Sequence, residues 1–333
     1  MSLKKLVGQH AAVRVLQDEL STGRIHHAYL FIGKEGMGKR TLALEFARAL
    51  NCDNNRTDGC DSCLSCRKIS HFNHPDLKLL EVGEGDSIKI EQIREMQQEL
   101  AYKPLESEYK IYIIDQADLM TPQAANSLLK TLEEPPEYAV MILLANQVNY
   151  GKMLPTLLSR CQKIYLSVIP EQIIQEELEK RGLPQEKVSL LARLADGSLG
   201  QALNLADNQE FLALRYSLLE FLGNLPESST VDIFQEVDRV SKLLSNPDFK
   251  AFSLFDLLVS WYRDLILLKQ GLEDQLVNSD FIVQIKRQAE EYSLDQLLLI
   301  LKMVNNMKGY INRNVRQDLA LQVMFFKIRA KRV

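Results

Sequence analysis

The chain has 333 residues, 46% of them hydrophobic and 25% charged, which lies inside the globular range and suits two or three domains. A formal charge of -4 and a pI near 5.9 exclude a surface given over entirely to nucleic acid, so any DNA contact is expected to be local or shared with partners. The stretch from Met1 to Gly8 holds no apolar segment of signal-peptide length, and no window approaches the ~18 apolar residues of a membrane helix, so the expectation is a cytoplasmic protein.

From Met1 to about Ser167, short apolar runs alternate with helical patterns, the signature of an α/β domain with a mainly parallel sheet. Strands are expected at Ala28 to Ile32, Leu77 to Val82, Lys110 to Ile114, Val140 to Ala145 and Lys163 to Leu166. Between them, Val13, Leu16 and Leu20 keep helical spacing, as do Ile93, Met96 and Leu100. Another helix starts with Thr121 as its cap and Pro122 in its first turn, and Pro135 and Pro136 stop it after Glu134. Past Ile169 and Pro170 the strand signals fade into amphipathic helices: a small unit to about Asp207, then a larger segment to Val333 that includes Leu254 to Lys269 and Leu294 to Met307.

The first strand leads into Gly33-Lys34-Glu35-Gly36-Met37-Gly38-Lys39-Arg40-Thr41, followed by a helix. Such a loop closes backbone N–H groups around phosphates at a helix N-terminus, and the lysine adds positive charge. Gly33, Gly36, Gly38, Lys39 and Thr41 are therefore candidates for holding ATP or ADP. The motif calls for a hydroxyl directly after the lysine to coordinate Mg²⁺, and Arg40 stands there instead. Thr41 is one residue further round the helix, about 100° away.

The strand ending at Ile114 delivers Asp115, a candidate for the carboxylate that holds Mg²⁺ in P-loop enzymes. The next residue is Gln116, where many ATPases carry a glutamate that polarises water. A neutral amide is not a general base, although glutamine orients water in some GTPases. Loss of ATP hydrolysis is the expectation.

Cys52, Cys60, Cys63 and Cys66 follow the pattern C-x₇-C-x₂-C-x₂-C. Four thiolates complete a tetrahedral Zn²⁺ shell and leave no open position for a reacting water, so the expected site is structural; four cysteines also suit an iron–sulfur cluster. His71 and His74 follow closely and are read as loop residues, and Cys161 as a small packed side chain.

Four further stretches carry a family resemblance: His26-His27-Ala28-Tyr29-Leu30-Phe31, Ala125-Asn126-Ser127-Leu128-Leu129-Lys130-Thr131-Leu132-Glu133-Glu134-Pro135, Leu157-Leu158-Ser159-Arg160-Cys161 and Trp261-Tyr262-Arg263-Asp264-Leu265. Together with the phosphate loop they resemble the AAA+ clamp-loader subunits of bacterial DNA polymerase III. The resemblance implies an AAA+ P-loop domain at 1–167 with a zinc module at 52–66, a small helical lid at 168–207 and an all-α collar at 208–333. It further implies a hetero-pentameric ring with gamma/tau and delta neighbours that loads a sliding clamp on primed DNA. In this family the arginine of the Ser-Arg-Cys motif reaches a neighbour's γ-phosphate, which makes Arg160 the candidate arginine finger. The family's own-site sensor arginine falls at Gly200, and Asn146 falls at its polar sensor. Departures at Arg40, Gln116 and Gly200 beside a retained Arg160 match a non-hydrolysing subunit; the alternatives are an active gamma/tau-type ATPase and a zinc-dependent nucleic-acid module.

Overall fold

The computed structural model describes residues 3, 6–55, 57–83, 85–244, 254–311 and 316–330. Five strands, β1 (Ala28–Gly33), β2 (Leu77–Leu80), β3 (Lys110–Ile114), β4 (Ala139–Asn146) and β5 (Gln162–Tyr165), form one sheet in the order β2-β3-β4-β1-β5. All four pairings are parallel. The bounds of β3 match the sequence expectation, and those of the other four strands differ by one or two residues. The expected second strand shortens most, because Glu81 and Val82 already leave the ladder.

A parallel sheet needs both faces covered, and the side chains divide with period two. Tyr29, Phe31, Ile111, Ile113, Ile142 and Ile164 join Leu16 of α1 (His10–Thr22) and Leu42 and Phe46 of α2 (Lys39–Leu50) on one face. Leu30, Ile32, Tyr112, Ile114, Met141 and Leu143 form the other, and α3 (Leu64–Ser70) precedes β2 in the chain. That second face is covered by Ile93, Met96 and Leu100 of α4 (Ile90–Leu100) and by Leu128 and Leu132 of α5 (Pro122–Glu133). The Thr121 side chain accepts from the Ala124 amide and Pro122 sits in the first turn, the cap that the sequence announces. Two short helices follow, α6 (Pro155–Leu158) before β5 and α7 (Glu171–Lys180) after it.

The chain divides into two compact units, one of residues 1–182 and 195–203, the other of 183–194 and 204–333. The second unit is helical: α8 (Gln185–Leu194), the end of α9 (Leu199–Asp207), α10 (Gln209–Asn224), α11 (Thr230–Leu244), α12 (Leu254–Lys269), α13 (Ile282–Glu291), α14 (Leu294–Ile311) and α15 (Gln317–Arg329). Its centre is α12, where Trp261, Tyr262 and Asp264 are all buried. Trp261 Nε1 donates to Gln288 Oε1 at 2.9 Å. The Asp264 carboxylate accepts from the amides of Val277 and Asn278 at 3.1 and 2.7 Å, and from Asn278 Nδ2 at 2.8 Å. Buried Arg215 of α10 continues the network to Asn278 Oδ1 at 2.8 Å and to both oxygens of Asp280. Trp261 and Asp264 thus satisfy polar groups inside a helical core, while Arg263 of the same stretch is exposed. Among the described residues no helix is long and apolar enough to cross a membrane.

Candidate functional site

A parallel sheet presents its ligand groups beyond the C-terminal ends of its strands. Here β1 leads into the glycine loop, β3 into Asp115 and β4 into Asn146, and these ends are neighbours in the sheet. They open on a cleft of about 510 Å³ lined by Gly36, Gly38, Lys39, Arg40, Thr41, Asp115, Gln116, Asn146 and Gly200. Gly33 does not line it; it ends β1 and packs against Leu166 and Met37.

Gly36 and Gly38 have φ of +72° and +88°, the left-handed region that glycine reaches without a Cβ penalty. Gly38 is the residue before α2, so the loop N–H groups gather at a helix start. Lys39 bends back on its own loop, donating from Nζ to the carbonyls of Gly33 and Lys34, each at 2.8 Å. Burial lowers the Lys39 pKa, and the carboxylates of Asp115, Asp118 and Glu35 oppose the shift.

Arg40 takes up the acidic side of the cleft. Its Nη1 donates to Glu81 Oε1 and lies 3.8 Å from Asp115 Oδ2, and its guanidinium stands over the Phe72 ring, 5.2 Å from the centroid. An active P-loop site holds Mg²⁺ through a hydroxyl, a carboxylate and phosphate oxygens in near-octahedral geometry. These residues do not fit that ion: the hydroxyl is replaced by a resident cation already in contact with the carboxylate. Gln116 has φ +53°, a left-handed conformation rare outside glycine, its amide donates to Asp115 Oδ1 at 2.9 Å and its side chain is exposed. Asn146 lines the cleft but turns its Oδ1 back to the Val148 amide, and its own amide donates to Asp118.

The start of α9 lies directly on the glycine loop. Gly200 N donates to Gly36 O at 2.9 Å, Ser198 Oγ donates to Glu35 O at 2.9 Å, and Lys34 Nζ pairs with Asp196. Backbone, with no side chain reaching into the cleft, occupies the position where the family resemblance expects a sensor arginine.

Arg160 is not in this cleft. It precedes β5, whose first residue Gln162 is level with Tyr29 near the start of β1, while the glycine loop follows the end of β1. The two groups stand at opposite ends of two neighbouring parallel strands. Arg160 Nη2 donates to Glu133 Oε1 at 2.7 Å and Nη1 to the Thr156 carbonyl at 2.8 Å. Cys161 beside it is buried in the core, and burial pushes its thiol up to about 12.

The four clustered cysteines come together, with all four sulfurs within 4.8 Å of one another. Three of the sulfurs accept backbone N–H groups: Cys52 from Asn55 at 3.2 Å, Cys60 from Cys63 at 3.2 Å and Cys63 from Cys66 at 3.3 Å. The Ser62 hydroxyl and the amides of Cys63 and Ser62 bring the Cys60 thiol down to about 5, while burial pushes Cys63 and Cys66 up. The set fits a tetrahedral divalent ion, whose charge would deprotonate all four. His74 is not a ligand: its Nδ1 accepts from the Asp76 amide and its Nε2 contacts Ser107 Oγ at 3.0 Å, which ties the cysteine segment to the turn before β3. Beneath the cluster, buried Arg48 bonds Glu45 and Asp61. Sequence reasoning passed over Arg48, Glu81, Phe72 and Glu133; only the i, i+3 spacing of Glu45 and Arg48 was a signal it could have used.

Residues 8–170 match the family model described as DNA polymerase III, delta subunit, and 209–329 match its C-terminal model. The chain is 32% identical over 308 residues to the DNA polymerase III subunit delta' of Bacillus subtilis, covering 91% of this chain and 92% of that one. It is 37% identical over 210 residues to subunit tau of Escherichia coli, covering 61% of this chain and 32% of tau. A DNA polymerase III gamma subunit-related protein from Thermotoga maritima superposes with a TM-score of 0.45 at 20% identity, over 96% of this chain and 99% of that one. On the identity and span shared with delta', the chain belongs to the family of DNA polymerase III clamp-loader subunits that includes delta', gamma and tau.

Proposed function

We propose that the chain is a delta-prime-type, non-hydrolysing AAA+ subunit that lends Arg160 to the ATP site of a neighbouring gamma/tau subunit. The observation that carries this reading is the opposite-end arrangement: Arg160 precedes β5 while its own glycine loop follows the neighbouring β1, one strand length or about 17 Å further along, too far for Arg160 to serve it. A guanidinium suits the task across a boundary because it is always charged and offers a planar fork of donors to phosphate oxygens. The disabled cleft supports the same reading. Arg40 displaces Mg²⁺, Gln116 is no base, and Gly200 brings no side chain, so the cleft holds at most an ATP or ADP that it does not turn over.

In this reading 1–167 is the AAA+ domain, 168–207 the lid and 208–333 the collar that joins the ring. Residues 52–66 form a structural zinc module held by Cys52, Cys60, Cys63 and Cys66. The subunit works in the cytoplasm within a hetero-pentamer with gamma/tau and delta, as part of the DNA polymerase III holoenzyme, and helps place the sliding clamp on primed DNA. Two assays test it. The purified chain alone should show no ATP turnover; turnover abolished by Lys39→Ala would instead make it an active gamma/tau-type ATPase. In the reconstituted complex, Arg160→Ala should lower ATP turnover ~10³-fold at the one site it completes, if it acts like other fingers supplied in trans. Unchanged turnover there removes the finger assignment.

A further inference from the structure

Glu133 has no part in the reading above, yet it is the residue that holds Arg160. It is the last residue of α5, and its Oε1 accepts from Arg160 Nη2 at 2.7 Å while Thr156 in α6 offers the second anchor through its carbonyl. Both helices are fixed from beneath, since Leu128, Leu132 and Leu157 are buried in one core cluster. The carboxylate therefore stands at a set place, and its partner is a long side chain that can swing away from it. At a helix C-terminus the outward carbonyl dipoles disfavour a negative charge, which the guanidinium offsets.

The pair is also weak enough to release. Its side chains are 33% and 50% exposed, and ion pairs with that much solvent access add little to an equilibrium. A triphosphate brings more charge and more acceptor oxygens than one carboxylate, so it wins the guanidinium when it arrives.

We propose that Glu133 is a positioning residue that latches Arg160 while no phosphate faces it. The guanidinium exchanges the Glu133 carboxylate for the terminal phosphate of a nucleotide on the neighbouring subunit, and returns when that phosphate leaves. The proposal rests on the reading of Arg160 as a finger acting in trans. Glu133 then competes with ATP for one side chain, so it weakens the neighbour's apparent affinity for ATP and leaves the chemical step alone.

The test uses the reconstituted clamp-loader complex with the chain carrying Glu133→Gln, Glu133→Asp, Arg160→Ala or Glu133→Gln with Arg160→Ala. Glu133→Gln should lower the KM for ATP about two- to fivefold, the range of a half-exposed ion pair, with kcat unchanged. Glu133→Asp keeps the charge and should keep the wild-type KM, and Glu133→Gln should add nothing once Arg160 is gone. A KM that Glu133→Gln leaves unmoved, while Arg160→Ala still lowers turnover, overturns the latch and leaves the finger standing. An effect of Glu133→Gln that persists without Arg160 overturns it equally. Turnover unmoved by Arg160→Ala removes the finger itself, and the latch with it.

Discussion

Gly200 and Gly36 meet backbone to backbone: the Gly200 amide donates to the Gly36 carbonyl at 2.9 Å, and a Cβ on Gly200 would lie 2.6 Å from that same oxygen. The contact sets the first expected outcome. Gly200→Ala should destabilise the first unit by about 1–3 kcal/mol, the usual cost of forcing extra atoms into a filled space. Gly200→Arg should cost at least as much and should not restore a nucleotide-sensing arginine, because its backbone cannot stay on the loop. Thermal unfolding of both variants, with and without ATP, checks the point.

Arg40→Thr should return a hydroxyl to the position after the loop lysine and free Asp115. Because Arg40 and Glu81 are 42% and 53% exposed, losing their pair should change stability by less than ~1 kcal/mol. Nucleotide binding should become responsive to Mg²⁺, read by titrating a fluorescent ADP with and without EDTA. Under the proposed function hydrolysis should be absent from this variant too, since Gln116 is untouched.

One zinc per chain is expected by elemental analysis of protein purified without added metal. EDTA or Cys66→Ser should remove it and lower the melting temperature, because a closed four-thiolate site contributes directly to folding. Acid should favour release. Burial holds the thiols of Cys63 and Cys66 above their ordinary values, so protons compete with the metal most strongly there, and binding at neutral pH should release protons measurable by calorimetry in different buffers.

In the helical unit, Asp264→Ala should cost about 3 kcal/mol in urea unfolding, since it strands the buried amides of Val277 and Asn278. Burial raises the Asp264 pKa above its ordinary value against the pull of those hydrogen bonds. The folded state therefore holds this proton more tightly than the unfolded chain does. Its contribution to stability is greatest in acid and falls as pH rises from about 4, the unfolded carboxylate value, through the higher folded value. Asp264→Ala should remove that portion of the pH dependence.

The strands, the Thr121 cap, the glycine loop and the cysteine cluster were legible in the sequence because each depends on neighbours a few residues away. β1 and β3 read as short unbroken apolar runs, the mark of strands covered on both faces, and the C-x₂-C spacing brings sulfurs close together. What stayed hidden joins distant segments. Arg40 and Glu81 are 41 residues apart, Arg160 and Glu133 are 27 apart, and Gly200 reaches Gly36 across most of the first unit. The sequence could show that Arg40 was out of pattern. Only the fold shows that it sits against Asp115 as a substitute cation. His74 reads as a loop residue despite its proximity to four cysteines, and what the sequence could not show is that its ring serves as a strut between two turns.

The placement of Arg160 and the glycine loop at opposite ends of their strands makes the first unit directional, and under the proposed function one end gives and the other receives. Units of that kind join head to tail through unlike surfaces, a geometry that closes into rings or runs on as filaments. If the receiving end has lost its chemistry, as the proposed function has it, such a series stops being self-sufficient. Under the proposed function, copies of this protein alone would line up donors with no competent acceptor, so an active assembly would have to be mixed, and each copy of this chain in it would mark a point where the relay of working sites ends.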